Sequence, residues 1–189
     1  MVKVGVLALQ GAVREHVETL DALGVDALAV KTREHLDAVD ALILPGGEST
    51  TMGHLLRTSG LLDALDERLR AGMPALGTCA GMILLAGEVL DGRPDQPSLG
   101  AIDVAVRRNA YGRQRESFET DLTIDGMTGP FHGVFIRAPA VERVGEGVTI
   151  LSQHDGRPVM CRQGAVTVCA FHPELSGDLR VHERFLQGG

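Results

Sequence analysis

Aromatic residues and lysine are both scarce in this 189-residue chain. Aromatic side chains make up 3% of the residues, with one tyrosine and no tryptophan, and lysine occurs only at Lys3 and Lys31. Proteins that bind single-stranded nucleic acid usually stack the bases on aromatic side chains, so the composition argues against that class. Duplex binders normally present a broad basic face, whereas this chain has a formal net charge of −7 and one basic stretch, Arg107–Arg115.

Cysteine is also rare, and long apolar runs are lacking. The three cysteines, Cys79, Cys161 and Cys169, are odd in number and lack the spacing of a metal site, which favours a reducing compartment. No apolar run reaches the ~20 residues of a membrane span. The N-terminus enters the run Val2–Leu9 without the basic lead of a signal peptide. We therefore expect one cytoplasmic domain, residues 1–189, with no metal, no cofactor and no membrane or nucleic-acid partner.

The first half of the chain alternates short apolar runs with amphipathic segments. The runs Val2–Leu9, Val25–Val30, Ala41–Leu44 and Met73–Thr78 predict buried strands, and helices are predicted between them, one over Leu61–Arg70. This alternation is typical of crossover connections in a parallel sheet. It predicts a three-layer α/β fold in which a mostly parallel central sheet is flanked by helices.

Short strands dominate from about Leu99 onwards. The predicted strands are Leu99–Val106, Ser117–Ile124, Phe131–Ile136, Val148–Gln153, Pro158–Arg162 and Ala165–Phe171. Asp155-Gly156 is a hairpin signal, and a last helix is predicted over Asp178–Leu186. No linker separates the two halves, so we predict an antiparallel extension of the same sheet.

Cys79 lies in Gly77-Thr78-Cys79-Ala80-Gly81, between a predicted strand and a predicted helix. The start of a helix supplies unpaired N–H groups that favour a thiolate, the reactive form of cysteine. Glycines before and after the cysteine permit a sharp turn, as in the nucleophile elbow of hydrolases. Taken alone, the residue is equally well explained as a buried structural cysteine. Cys161 and Cys169 lie inside apolar strands and are expected to be structural.

His172 stands at the end of another apolar run and is followed by Pro173 and Glu174. Proline favours an extended conformation at the residue before it, and side chains two positions apart in extended backbone point to the same side. Glu174 can therefore orient the His172 ring, as the acid of a catalytic triad does. A solvated loop is the alternative. The remaining histidines, including His16 and His182 on predicted helices, are expected to be structural.

Gly46-Gly47-Glu48-Ser49 follows a third strand end. Glycines there allow backbone N–H groups to face a ligand, and each such donor to an oxyanion contributes ~3 kcal/mol to transition-state stabilisation. The alternative is a plain strand-to-helix turn, with Ser49, Thr50 or Thr51 as the helix cap. Together, a cysteine, an oriented histidine and an N–H-rich turn predict acyl transfer through a thioester.

Five longer blocks extend these motifs over nearly the whole chain. They are Val6–His16 (VLALQGAVREH), Leu44–Met52 (LPGGESTTM), Arg108–Gln114 (RNAYGRQ), Phe135–Pro139 (FIRAP) and Phe171–Leu175 (FHPEL). With Gly-Thr-Cys-Ala-Gly, they resemble the class I, triad-type glutamine amidotransferases, and specifically the glutaminase subunits of pyridoxal 5′-phosphate synthase. Tyr111 stands where that family often has phenylalanine. The resemblance implies a flavodoxin-like fold.

The resemblance also implies residue roles and a partner. Cys79 attacks the side-chain amide of L-glutamine, His172 and Glu174 complete the catalytic group, and a separate synthase subunit receives the ammonia in a hetero-oligomeric complex. The implied glutamine-binding residues are Gly47, Glu48, Ser49, Arg108, Ile136 and Arg137. The implied oxyanion site combines Gln10, Gly11, Gly47 and Ala80.

Two alternatives remain open on the sequence alone. In the first, the same chemistry serves a different ammonia acceptor, as in imidazole-glycerol-phosphate or nucleotide synthesis. In the second, the chain is a non-catalytic or redox-sensing relative, because a thiol at a helix start is also suited to oxidation. The presence of both His172 and Glu174 argues against the second alternative.

Overall fold

The computed structural model describes residues 2–108 and 117–188, which contain twelve strands, six α-helices and one 3-10 turn. In chain order these elements are β1 (Lys3–Leu7), α1 (Val13–Ala22), β2 (Asp26–Val30), α2 (Arg33–Asp37), β3 (Ala41–Leu44), α3 (Ser49–Thr58), α4 (Leu61–Arg70), β4 (Ala75–Thr78), α5 (Ala80–Leu85), β5 (Ala86–Val89), β6 (Ile102–Arg107), β7 (Ser117–Leu122), β8 (Phe131–Ile136), β9 (Ala140–Val144), β10 (Thr149–His154), β11 (Arg157–Gln163), β12 (Val166–Cys169), the 3-10 turn (Pro173–Leu175) and α6 (Arg180–Leu186).

Seven strands form the central sheet, in the order β10-β11-β12-β4-β3-β1-β2. The five strands from β12 to β2 run parallel to one another, and β10 and β11 continue the sheet in the antiparallel direction. The predicted class, a mostly parallel α/β sheet with an antiparallel extension, is therefore confirmed.

Helices cover both faces of this sheet. On one face, Val6 of β1 packs in a cluster with Leu20 of α1 and Phe185 of α6. On the other, Leu42 of β3 belongs to the larger cluster that includes Leu56 of α3. Burial on both faces explains why the parallel strands are continuous apolar runs in the sequence. It also leaves the carboxyl ends of β1, β3, β4 and β12 as the edge where a site can form.

The antiparallel extension is smaller than the sequence predicted. The strands predicted at Leu99–Val106, Ser117–Ile124 and Phe131–Ile136 do not join the central sheet. The first becomes β6, which pairs with β5 and β9, and the other two become β7 and β8, which pair with each other. The prediction failed because strand partners are chosen by packing between distant segments, and because β5 and β9 were not predicted as strands.

Within residues 2–108 and 117–188, no helix combines the length and the apolar character that crossing a membrane requires.

Candidate active site

Cys79 occupies a strained turn between β4 and α5. Its φ of 49° and ψ of −102° place a non-glycine residue in a sparsely populated backbone region. The turn is tight enough to require the flanking glycines. A Cβ at residue 81 would lie 2.0 Å from the backbone oxygen of Leu44, and one at residue 77 would lie 2.7 Å from Leu85 Cδ1.

His172 lies beyond the end of β12, and its backbone N–H donates to Val134 O at 2.8 Å. Its Nδ1 is 2.7 Å from Glu174 Oε1, and both side chains are buried. Glu174 sits in the 3-10 turn rather than in extended backbone, yet its carboxylate still reaches the ring. The sulfur of Cys79 lies 3.8 Å from Ile136 O.

Two neighbours of His172 determine its charge. Burial by itself would lower the pKa of His172, but hydrogen bonds with the Cys79 and Glu174 side chains, and the negative charges of both, raise that pKa to about 10. The structure therefore brings Cys79, His172 and Glu174 together and favours an imidazolium beside the sulfur.

A cavity of about 440 Å³ opens beside this group. Its wall contains all six residues to which the resemblance assigned glutamine binding, together with Cys79, His172 and Ile83. Ile83, on α5, was not predicted. Arg137 in this wall has a φ of 46°, a left-handed conformation that is uncommon for a non-glycine residue.

Glu48 has a structural role in this wall. Its carboxylate accepts hydrogen bonds from the N–H groups of Thr50 (3.1 Å) and Thr51 (2.7 Å) and so caps α3. The cap predicted at Ser49, Thr50 or Thr51 was therefore wrong by one or more positions. Although burial acts to raise it, the pKa of Glu48 is lowered to about 2 by hydrogen bonds from the two threonines. Glu48 thus remains a carboxylate and lies 3.6 Å from Arg108 Nη2.

Gln96 and Asp91, between β5 and β6, form hydrogen bonds that position residues of this wall. Neither was predicted from the sequence. The side chain of Gln96 accepts from Arg108 Nη1 at 2.9 Å and donates to Ser49 Oγ at 3.1 Å. Asp91 accepts from the Arg108 backbone N–H at 2.7 Å. No local sequence pattern indicates which distant groups the side chain of a loop residue will bridge.

The predicted oxyanion residues meet at the ends of β1 and β3. Gln10 Oε1 accepts from the Glu48 N–H at 2.9 Å, and a Cβ at Gly11 would lie 1.8 Å from Gly46 O. A Cβ at Gly47 would lie 2.4 Å from Gln10 Oε1, so a larger residue at position 47 would have to displace the Gln10 side chain from the Glu48 N–H. Ala80 is the first residue of α5, directly after Cys79.

The remaining predicted features lie away from the cavity or outside the described residues. Cys161 and Cys169 are buried in β11 and β12, and burial raises the pKa of both thiols, that of Cys161 to about 12. The basic stretch Arg107–Arg115 and the block Arg108–Gln114, with Tyr111, fall mostly at 109–116, outside the described residues. The ranges 2–108 and 117–188 hold no group of three histidine, cysteine or acidic residues arranged to bind a metal.

His16 and His182, which were expected from the sequence to be structural, should make the stability of the fold depend on pH. Burial, followed by the nearby His182 and His172, lowers the pKa of His16, and burial lowers that of His182 to about 4. At pH values below 6.5, the ordinary pKa of histidine, and above these lowered pKa values, the unfolded chain binds more protons than the folded chain. The free energy of unfolding should therefore fall on acidification from pH 6.5, by about 1.4 kcal/mol per pH unit for each histidine.

Urea denaturation between pH 7 and pH 5 measures this slope before most carboxylates titrate. His172 contributes little to this slope below pH 6.5, where both states are largely protonated; its stabilising contribution is lost as pH rises from 6.5 towards its raised folded-state pKa. A His182→Phe variant should show a shallower slope. A stability that stays constant from pH 6.5 to 5 would contradict the buried neutral pair.

Comparisons with known proteins show the family to which the chain belongs. A model of the SNO glutamine amidotransferase family matches residues 6–188. A relative from Mycobacteroides abscessus, named pyridoxal 5′-phosphate synthase subunit PdxT, is 61% identical over 183 residues, covering 97% of this chain and 95% of the relative. A relative of the same name from Parafrankia sp. is 56% identical over 186 residues, covering 98% and 92%. A solved structure described as a glutamine amidotransferase is 53% identical, with a TM-score of 0.93 and coverage of 98% and 97%. Since the family match spans nearly all of the sequence, the chain belongs to the SNO glutamine amidotransferase family.

Proposed function

We propose that this chain hydrolyses L-glutamine to L-glutamate and ammonia, with Cys79 as the nucleophile. The observation that carries the proposal is one cavity whose wall contains Cys79, His172 and an arginine, Arg108. An arginine can bind a substrate carboxylate through two hydrogen bonds. Gly47, Glu48, Ser49, Ile136 and Arg137 line the same cavity and complete the proposed glutamine site.

His172 moves the protons in the proposed reaction. The Cys79 thiolate attacks the amide carbon, and the His172 imidazolium protonates the amide nitrogen, so that ammonia leaves and a glutamyl thioester remains. Neutral His172 then takes a proton from water as the water oxygen attacks the thioester. The carbon–sulfur bond breaks, glutamate forms, and the thiolate–imidazolium pair is restored. Glu174 holds the ring in the orientation that both steps need.

The backbone N–H groups of Gly47 and Ala80 are the proposed donors to the oxyanion. Gln10 and Gly11 contact the Gly46–Glu48 segment and so help to position it. In this conformation the Glu48 N–H is taken by Gln10 Oε1. The family resemblance implies that the partner completes this site on docking. We therefore expect the isolated chain to turn over glutamine slowly.

The proposed ammonia acceptor is a pyridoxal 5′-phosphate synthase subunit, in a cytoplasmic hetero-oligomeric complex. Support comes from the relatives, which are 61% and 56% identical and carry the name of a subunit of that synthase. These names favour vitamin B6 synthesis over the other acceptors considered from the sequence. Residues 1–189 are proposed to act as one glutaminase domain within the complex.

A reconstitution tests this function. The chain is mixed with the synthase subunit of the same organism, a pentose phosphate, a triose phosphate and glutamine, and both glutamate and pyridoxal 5′-phosphate are measured. We expect both products to form together and glutamate release to be much slower without the synthase subunit. Full glutamine turnover by the chain alone, or glutamate without glutamine-dependent pyridoxal 5′-phosphate, would count against the proposal.

Gln96 should affect substrate binding rather than the chemical step. A Gln96→Leu variant loses the bridge between Ser49 and Arg108 and leaves both side chains less fixed. Because two hydrogen bonds of about 1 kcal/mol each are lost, KM for glutamine should rise about 5- to 30-fold with little change in kcat. Steady-state kinetics of the complex measure both constants. The matched control is Gln153→Leu at an exposed position on β10, and a fall in kcat with unchanged KM would refute the assigned role.

A further inference from the structure

Each carboxylate oxygen of Glu174 faces a different histidine. Oε1 is 2.7 Å from His172 Nδ1, whereas Oε2 is 3.4 Å from His16 Nε2. The side chains of Glu174 and His16 are both fully buried. Within residues 2–108 and 117–188, no group makes a well-aligned hydrogen bond to Oε2. His16 Nε2 is hydrogen-bonded with Thr78 Oγ1 at 3.2 Å and is also the histidine nitrogen that faces this unpartnered oxygen.

A second buried histidine stands behind His16. His16 Nδ1 is 2.9 Å from His182 Nε2, and the two rings, on α1 and α6, have centroids 5.1 Å apart. The titratable groups facing His16 are thus Glu174 and His182, with His172 on the far side of Glu174. Both His16 and His182 are fully buried, in the layer of helices opposite α3 and α4.

The arrangement of these groups selects one tautomer for His16. A neutral imidazole carries one proton, and a lone pair on Nε2 would face the buried carboxylate and repel it. With the proton on Nε2, His16 donates toward Glu174 Oε2, and its Nδ1 accepts from the Nε2–H of His182. Burial and the neighbouring histidines lower the pKa of His16, which keeps it in this neutral form.

We infer that His16 is a positioning residue for catalysis, which holds the Glu174 carboxylate in place by directing its Nε2–H toward Oε2 at 3.4 Å, while His182 fixes the tautomer of His16. Without this N–H group 3.4 Å away, the buried Oε2, which has no well-aligned hydrogen bond within the described residues, loses its histidine neighbour and favours rotation or protonation. Either change disturbs the hydrogen bond that orients His172. The role rests on the proposed use of His172 and Glu174 in glutamine hydrolysis and extends the catalytic group by two residues.

A pair of variants separates the hydrogen bond from the volume of the side chain. Gln and Met have similar size and length, but only Gln carries an N–H donor near the position of histidine Nε2. Loss of one hydrogen bond to a charged group changes an equilibrium or rate constant by a factor of about 10 to 100. The two variants are compared in the complex with the synthase subunit. We therefore expect His16→Met to lower kcat by about tenfold or more with KM nearly unchanged, and His16→Gln to stay within about threefold of the unsubstituted chain.

The outcomes of this comparison are distinct. Equal activity in the two variants, whether both high or both low, would overturn the inference, because a residue that only fills space is served as well by Met as by Gln. If the unsubstituted complex releases no glutamate, or if a Cys79→Ala complex releases it normally, the proposed function fails instead. These two failures are therefore distinguishable.

A measurement on the unsubstituted chain decides the matter even if a variant does not fold. Nitrogen-15 NMR of labelled histidines reports which ring nitrogen carries the proton. We expect His16 to be neutral and protonated on Nε2 from pH 6 to pH 8. Protonation on Nδ1 instead would point a lone pair at Glu174 and would overturn the inference.

Discussion

A Cys79→Ala variant should lose glutamine hydrolysis by about 10⁴-fold or more in the complex with the synthase subunit. The loss follows from chemistry rather than folding, because alanine retains the Cβ and removes only the sulfur that forms the thioester. The variant should still assemble with the synthase subunit and should still support pyridoxal 5′-phosphate formation when ammonium salt replaces glutamine. Glutamate release and ammonium-dependent synthesis are measured in parallel.

Cys161→Ala is the matched control, since that thiol is buried in β11 and its pKa is raised to about 12. We expect this variant to keep most of its glutaminase activity. If the Cys79→Ala complex hydrolysed glutamine at a rate near that of the unsubstituted complex, the thioester mechanism would be wrong.

A Gly46→Ala variant should lower kcat by about 10²-fold, because the added methyl group displaces the catalytic ring. A Cβ at residue 46 would lie 2.4 Å from Cε1 and 2.9 Å from Nδ1 of His172. Gly46 does not have a positive φ, so alanine fits the backbone and the strain falls on the ring. The ring has little room to yield, since it is hydrogen-bonded to Cys79 and Glu174.

The control for this variant is Gly87→Ala, at an exposed position on β5 where the nearest atom to a new Cβ is 3.3 Å away. Thermal unfolding and steady-state kinetics of both variants separate stability from activity. We expect both variants to fold and only Gly46→Ala to lose activity. A Gly46→Ala complex with a kcat within a few-fold of the unsubstituted value would show that the ring tolerates displacement.

Local patterns predicted the parallel half of the fold well. The helix predicted over Leu61–Arg70 is α4 with the same bounds, and the strand predicted over Ala41–Leu44 is β3. Both elements have clear signals, since the strand is a short apolar run before Pro45 and the helix ends near Gly72. The pairing of β6 with β5 and β9 had no such signal, because it depends on contacts between segments far apart in the sequence.

The same distinction applies to the candidate site. Cys79 and His172 were identified because each has neighbours in sequence that indicate its role, the glycines in one case and Glu174 in the other. Gln96 and His16 act on groups 12 to 158 positions away, and neither has a local motif. The N-cap of α3 was predicted wrongly because serine and threonine are more common caps than glutamate, and three such residues directly follow Glu48.

The central claim is that the thiolate of Cys79 attacks the glutamine side chain. The most direct test is to incubate the complex with an electrophilic glutamine analogue and locate the adduct by peptide mass spectrometry. We expect one adduct on Cys79, suppressed by excess glutamine and absent from the His172→Ala variant. An unlabelled Cys79 in a complex that still hydrolyses glutamine, or an adduct on Cys161 or Cys169 instead, would contradict it.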